Sequence, residues 1–127
     1  ARSCVLKVST SHYGMLLPGD IEAVQEDELV NSIPDKLRAD VLLAPHHGSG
    51  TSSTPAFLQT VRPELAIFQL GYLNRYHHPK TEVWNRYADF GIKRLRTDES
   101  GAITLQFGTS LQFSQFRQEH ARYWYAQ

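Results

Sequence analysis

Leu42-Leu43-Ala44-Pro45-His46-His47-Gly48-Ser49-Gly50-Thr51-Ser52-Ser53 is the segment from which the architecture of this 127-residue chain can be worked out. The apolar run Val41 to Ala44 has the continuous hydrophobicity of a buried strand in a sheet covered on both faces. It stops at Pro45, which has no N–H to offer a ladder. Two histidines follow, then a small hydroxyl-rich loop. The loop leads into Thr54-Pro55, a helix start with Thr as N-cap and Pro at the first helical position. Strand, polar loop and helix in succession form the carboxyl-edge crevice where open α/β sheets hold ligands. Imidazoles placed there bind metals or move protons near neutral pH. The alternative is a surface turn that happens to carry two histidines.

At this length the chain is expected to be one domain with a proper core. It is 41% hydrophobic and 20% charged, ordinary for a globular chain. No apolar run approaches the length of a membrane span, and no amino-terminal signal pattern is visible. The opening residue is Ala1 rather than Met, so an excised piece of a longer polypeptide is expected. Formal net charge is zero but unevenly spread: residues 1–70 hold five Lys/Arg against eight Asp/Glu, and residues 71–127 hold eight against five. That balance lacks a strongly basic nucleic-acid footprint and places any polyanion contact in the second half. The single cysteine, Cys4, excludes an internal disulfide and a cysteine metal cage. It reads as a small core residue.

Working outward, Cys4 to Val8 and Tyr13 to Leu17 read as a β-hairpin around a turn that holds His12, a solvated loop histidine. The second strand runs out at Leu16-Leu17-Pro18-Gly19-Asp20-Ile21-Glu22, where Asp20 is either an N-cap or a carboxylate metal ligand. The helix from about Glu22 to Ser32 is expected to turn Ile21, Val24, Leu29 and Ile33 inward, with Glu22, Glu26, Asp27 and Glu28 on a solvated face. After the central strand and its loop, Ala56, Phe57, Leu58 and Val61 make a short amphipathic helix, and Leu65 to Leu70 a further buried strand. Tyr72 to Lys80 is a third polar loop after a strand. Thr81 to Phe90 is a helix with Val83, Trp84 and Tyr87 inward, stopped at Gly91. Ile92–Arg96, Ala102–Phe107 and Ser110–Phe116 read as closing strands. The expected class is α/β, a mixed sheet with helices between strands. Residues 1–116 form the body, and 117–127 an aromatic, basic tail packing on it or extending from it. Three successive strand ends carry ionisable groups: Asp20, His46/His47 and His77/His78. Gathered on one edge they predict a metal site, two imidazoles and a carboxylate suiting zinc or manganese.

The strings Leu-Leu-Pro-Gly-Asp-Ile-Glu, Ala-Pro-His-His-Gly-Ser-Gly-Thr-Ser-Ser and Asn-Arg-Tyr-His-His-Pro resemble the carboxy-terminal half of the metallo-β-lactamase-like domain. More narrowly, they resemble the domain that ends the ComEC/ComA-type DNA-uptake competence proteins of bacteria. Thr97 to Ile103 and Arg122-Tyr123-Trp124 fit that subgroup, and the resemblance covers nearly the whole chain. It implies half of an αββα sandwich, with Asp20 bridging two metal ions and one histidine of the His46/His47 pair on the second ion. Pro-x-His-Gly in related lactamases points to His47; a Thr-His alignment in related ribonucleases points to His46. The unligated one would orient substrate or donate a proton. His78, with Asn74 and Tyr76, would lie near a scissile phosphate. Ser49, Ser52 and Ser53, with Lys80, would contact phosphate oxygens.

The chain departs from the family in lacking the His-x-His-x-Asp-His motif and the further histidine that supply most ligands. A closed site takes three or four protein ligands, so metal binding by this piece alone is expected to be weak or nil, and the piece inactive. The resemblance implies a parent protein at the bacterial inner membrane that moves single-stranded transforming DNA. Its intact domain would be a zinc- or manganese-dependent phosphodiesterase or nuclease. The partners would be DNA, the amino-terminal half of the same domain and a membrane channel, with no small-molecule cofactor. Two other readings stay open. One is a non-catalytic DNA-guiding module using Arg75, Lys80, Arg86, Lys93, Arg94 and Arg96 on phosphates, with Tyr72 or Tyr76 stacking on bases. The other is a metallo-hydrolase for a different phosphodiester or a phosphocholine ester.

Overall fold

The structure is a computed structural model of the chain, and it describes residues 5–70, 79–97, 103–107 and 111–115. In chain order the elements are β1 (Leu6–Ser9), β2 (Gly14–Leu17), α1 (Ala23–Ser32), α2 (Pro34–Leu37), β3 (Val41–Leu43), α3 (Pro55–Val61), β4 (Leu65–Phe68), α4 (Thr81–Asp89), β5 (Lys93–Arg96), β6 (Ile103–Phe107) and β7 (Leu111–Gln115). A single 3-10 turn, Pro45–Gly48, follows β3. The strands expected from the apolar runs and the helices expected from their caps are present, with ends shifted by one or two residues.

β1 to β5 form one mixed sheet in that order. β1 pairs antiparallel with β2, Leu6 facing Leu17 and Val8 facing Met15. β2, β3, β4 and β5 run parallel, with Met15 opposite Val41, Val41 opposite Leu65 and Leu65 opposite Lys93. Each parallel step moves to the next strand in the same direction. Since such crossovers are almost always right-handed, the helices all fall on one face. The core there joins Leu16 and Leu42 of the sheet to Leu37 of α2, Phe57, Leu58 and Val61 of α3, and Val83 and Tyr87 of α4. The other face alternates with it: Val41, Leu65, Ile67 and Leu95 pack against Ile103, Leu105 and Leu111 of the separate two-stranded β6–β7 sheet. Among the described residues that hairpin covers the second face; residues 117–127, expected to pack on the body or extend from it, lie outside them.

Capping follows the sequence closely at α3, where Thr54 Oγ1 accepts the Phe57 N–H at 3.3 Å. Gly91, at φ +72°, ends α4 in the left-handed region that favours glycine. α1 differs from expectation. Val24 is 65% exposed and Ile33 37%, while Glu26 is fully buried and Leu29 and Val30 pack on the core. The helix is rotated to bring Glu26 inward, and the acidic residues do not form one solvated face. The residue preceding α1 is Glu22, whose N–H donates to Gln25 Oε1 at 2.9 Å. Asp20 is therefore not the cap and stands two residues before it. No helix among the described residues is long and apolar enough to cross a membrane.

Candidate functional site

Parallel strands deliver their carboxyl ends to one edge, so Asp20 after β2, His46 and His47 after β3, and Gln69 after β4 come together by topology. The local backbone then fixes them. Pro45 turns the chain out of β3, and His46, His47 and Gly48 all take positive φ (49°, 53° and 85°). For the two histidines this is strained backbone of the kind that persists only where surrounding contacts over-determine it, and it concentrates at functional sites. Gly48 is required: a Cβ there would lie 2.6 Å from Pro79 Cβ and 2.9 Å from Phe68 Cδ2.

Three hydrogen bonds stitch the histidine loop to the turn that carries Asp20. His46 N–H donates to Gly19 O at 2.8 Å, Ala23 N–H to Thr51 O at 2.8 Å, and Ser52 Oγ–H to Ile21 O at 2.8 Å. The loop is also tied to the start of α4, where Lys80 N–H donates to Gly48 O at 3.0 Å.

Two acid–imidazole pairs result. His47 Nε2 is 3.6 Å from Asp20 Oδ1, and His46 Nδ1 is 3.7 Å from Glu22 Oε1. The pairs are not equivalent. His47 Nδ1 lies 2.8 Å from Gln69 O; a carbonyl only accepts, so Nδ1 carries the proton. In the neutral form of the ring the lone pair is then on Nε2, on the side of Asp20. A carbonyl behind one ring nitrogen and an open second nitrogen is the usual setting of a metal-binding histidine. Glu22 was expected on a solvated face, and its place beside His46 was not foreseen. The signal was its spacing of two from Asp20 across the strand-end turn. Among the described residues no three His, Cys, Asp or Glu side chains come together to hold a metal ion. Asp20 and His47 offer two donors, short of a closed site.

The three serines expected at phosphate oxygens are buried. Ser52 and Ser53 are 1% and 0% exposed and Ser49 8%. Ser52 Oγ is taken by Ile21 O, Ser53 Oγ lies 2.7 Å from Tyr87 Oη, and Ser49 Oγ lies 3.0 Å from Thr51 Oγ1. These hydroxyls build the loop. The exposed Lys80 sits beside it, its Cγ 3.7 Å from where a Cβ on Gly50 would be. Asn74, Tyr76, His77 and His78, with Tyr72 and Arg75, lie outside the described residues.

Beneath the loop is a buried polar knot. Glu26 accepts the Ser53 N–H at 2.6 Å and the Thr54 N–H at 2.7 Å. Arg86 Nη1 donates to Ser53 O at 2.8 Å. Burial pushes the Glu26 carboxyl above its ordinary value, against the lowering effect of the two amides. Burial likewise raises the Tyr87 hydroxyl, which stays protonated. Of the other basic residues, Arg94 stacks 4.6 Å from the centre of the Trp84 ring and donates to Trp84 O at 3.1 Å, while Arg96 lies 5.5 Å from the same ring. Arg86 and Arg94 thus direct their guanidinium groups into the protein, whereas Lys93 is exposed. A cleft of about 360 Å³ lined by Leu58, Arg62 and Phe90 lies at the opposite edge of the sheet, away from both acid–imidazole pairs.

No family model matches the chain. Over 107 residues, 84% of the chain and 15% of the relative, it is 47% identical to Competence protein ComA of Neisseria gonorrhoeae. Over 105 residues, 83% of the chain and 13% of the relative, it is 39% identical to ComE operon protein 3 of Bacillus subtilis. Over 127 residues, 99% of the chain and 16% of the relative, it is 32% identical to Recombination protein 2 of Haemophilus influenzae. The chain thus spans between 13% and 16% of the length of these relatives.

Proposed function

We propose that this chain acts within a ComEC/ComA-type protein of DNA uptake, and that its histidine edge supplies one side of a divalent-metal site acting on phosphodiesters. Similarity to proteins named for competence and recombination supports the role. One observation carries the chemistry: His47 Nε2 is 3.6 Å from Asp20 Oδ1 while its Nδ1 proton is held by Gln69 O. In this reading Asp20 and His47 hold the ion, deciding between the two histidines in favour of His47. His46, adjacent and beside Glu22, moves a proton, and exposed Lys80 attracts phosphate. The ion, zinc or manganese, supplies Lewis-acid activation of water and neutralises phosphate charge.

Two ligands do not close a site, so further ligands come from the rest of the parent. The helix layer, sheet and covering hairpin are read as the carboxy-terminal half of a metallo-β-lactamase-like sandwich, completed by an amino-terminal half of the same protein at the inner membrane. The substrate would be a strand of incoming DNA.

Calorimetric titration of zinc and manganese tests the assignment, comparing the chain with Asp20→Ala, His46→Ala and His47→Ala. Binding that survives the loss of His46 but not of His47 or Asp20 is expected, weaker than micromolar. In the full-length parent, His47→Ala should abolish metal-dependent cleavage of single-stranded DNA. Cleavage that persists in that variant, or a salt-dependent DNA affinity indifferent to metal, would defeat the reading and favour a guiding surface.

A further inference from the structure

We infer that Glu26 is a positioning residue for the histidine loop: its buried carboxylate, by taking the Ser53 and Thr54 amide protons, sets the path of the backbone that carries His46 and His47. The geometry is specific. Both carboxylate oxygens are used, at 2.6 and 2.7 Å, in a side chain with no exposure. Ser53 is held at φ +59°, a conformation its own side chain does not favour. From Ser53 the restraint passes back along the chain. Ser52 N–H donates to Ser49 O at 3.1 Å and Ser49 N–H to His46 O at 2.9 Å. α4 closes the clamp from the other side through Tyr87 Oη on Ser53 Oγ and Arg86 on Ser53 O.

A merely structural glutamate would be replaceable by any group filling the space. Here the ionised form matters, because only a carboxylate accepts both amides. Protonation turns one oxygen into an O–H donor facing an N–H. The charged or titratable groups around it are Asp27 on its own helix, and Tyr87 and Arg86 on α4; the loop offers N–H and hydroxyl groups. The inference rests on the metal reading only for what the loop serves.

Solution NMR of the whole chain tests it. In the native chain, the Glu26 carboxyl carbon and the Ser53 and Thr54 amide protons should titrate together, with a midpoint above the ordinary glutamate value. In Glu26→Gln that shared step should vanish, and Ser53 and Thr54 amide exchange should quicken by about tenfold or more. The His47 Nδ1–H resonance should shift, while amides of β3 and β4 keep their protection. A folded Glu26→Gln chain with native loop protection and a native His47 signal would overturn the inference. So would native amides that ignore the Glu26 titration, a measurement that stands even if the variant does not fold. Zinc binding is scored separately: an ordered loop that binds no zinc counts against the metal reading and supports the role of Glu26.

Discussion

Gly48 carries more of the loop's geometry than either histidine beside it. Its φ of +85° and the 2.6 Å approach that a Cβ would make to Pro79 act together. Gly48→Ala is expected to cost roughly 2–5 kcal/mol from left-handed backbone strain and overpacking. Urea unfolding measures it, and a loss below about 1 kcal/mol would mean the loop relaxes easily. Glu26 makes a prediction in which global and local order move oppositely. Its folded pKa is raised, so between the ordinary glutamate value and the folded value the native state binds more protons than the unfolded state. Stability from this group is therefore present at low pH and lost as pH rises through the folded value. Thermal melts of the native chain, compared with Glu26→Gln, should show that contribution disappear in the variant. Acidification over the same window should loosen the Ser53–Thr54 clamp even as it favours the fold as a whole. Composition alone did not distinguish Glu26 from Glu22, Asp27 and Glu28, because only the rotation of α1 buries it. The one available hint was its helical spacing from Leu29 and Val30.

Elements whose signals are local were legible: the Thr54-Pro55 start of α3, the Gly91 stop of α4, the apolar runs of β3 and β4. The inward stripe of α1 was legible only in part: Ile21 and Leu29 face the core, but Val24 and Ile33 do not, because the helix turns to bury a carboxylate whose partners, Ser53 and Thr54, are 27 and 28 residues away in the chain. Thr54→Ala should cost about 1 kcal/mol, the usual loss of an N-cap side chain, read from chemical unfolding. The loss is bounded because Glu26 still receives the Ser53 and Thr54 amides. The β6–β7 hairpin is a different case. A two-stranded unit is marginal alone in water, so its order depends on docking Ile103, Leu105 and Leu111 over Val41, Ile67 and Leu95. Ile103→Asp places an unpaired charge on that contact and should destabilise the chain by roughly 2–3 kcal/mol. It should also raise the fluorescence of a dye that binds exposed apolar surface. An unchanged melt would show that the hairpin contributes little to the second face.

At the scale of the whole molecule, one-directional winding explains both the site and what the chain leaves open. It brings Asp20 and the His46/His47 pair to one edge, which the alternation of strand and helix foretold, and it sets Gln69 beside them, which that alternation did not single out. Among the described residues it also puts the helices on one face and leaves the other to the β6–β7 hairpin. Covering by that hairpin fades toward β1 and β2. Leu6 is 56% exposed and Val8 47%, and by register they share a face with Leu17 and Met15, both half-buried. Among the described residues β1 is also a sheet edge, an unpaired backbone row beside an apolar surface, the combination that invites association with another strand or layer. On the proposed reading the amino-terminal half of the domain meets this surface; without that half, copies of the chain should meet each other. Sedimentation at increasing concentration is therefore expected to show self-association. Leu6→Lys with Val8→Thr should suppress it with little change in melting temperature, because neither side chain is buried. If the double variant associates as the native chain does, the contact lies elsewhere and the face is closed by the chain itself. A chain that stays monomeric throughout would mean that the short, four-residue edge and the charge of Lys7 are enough to protect it.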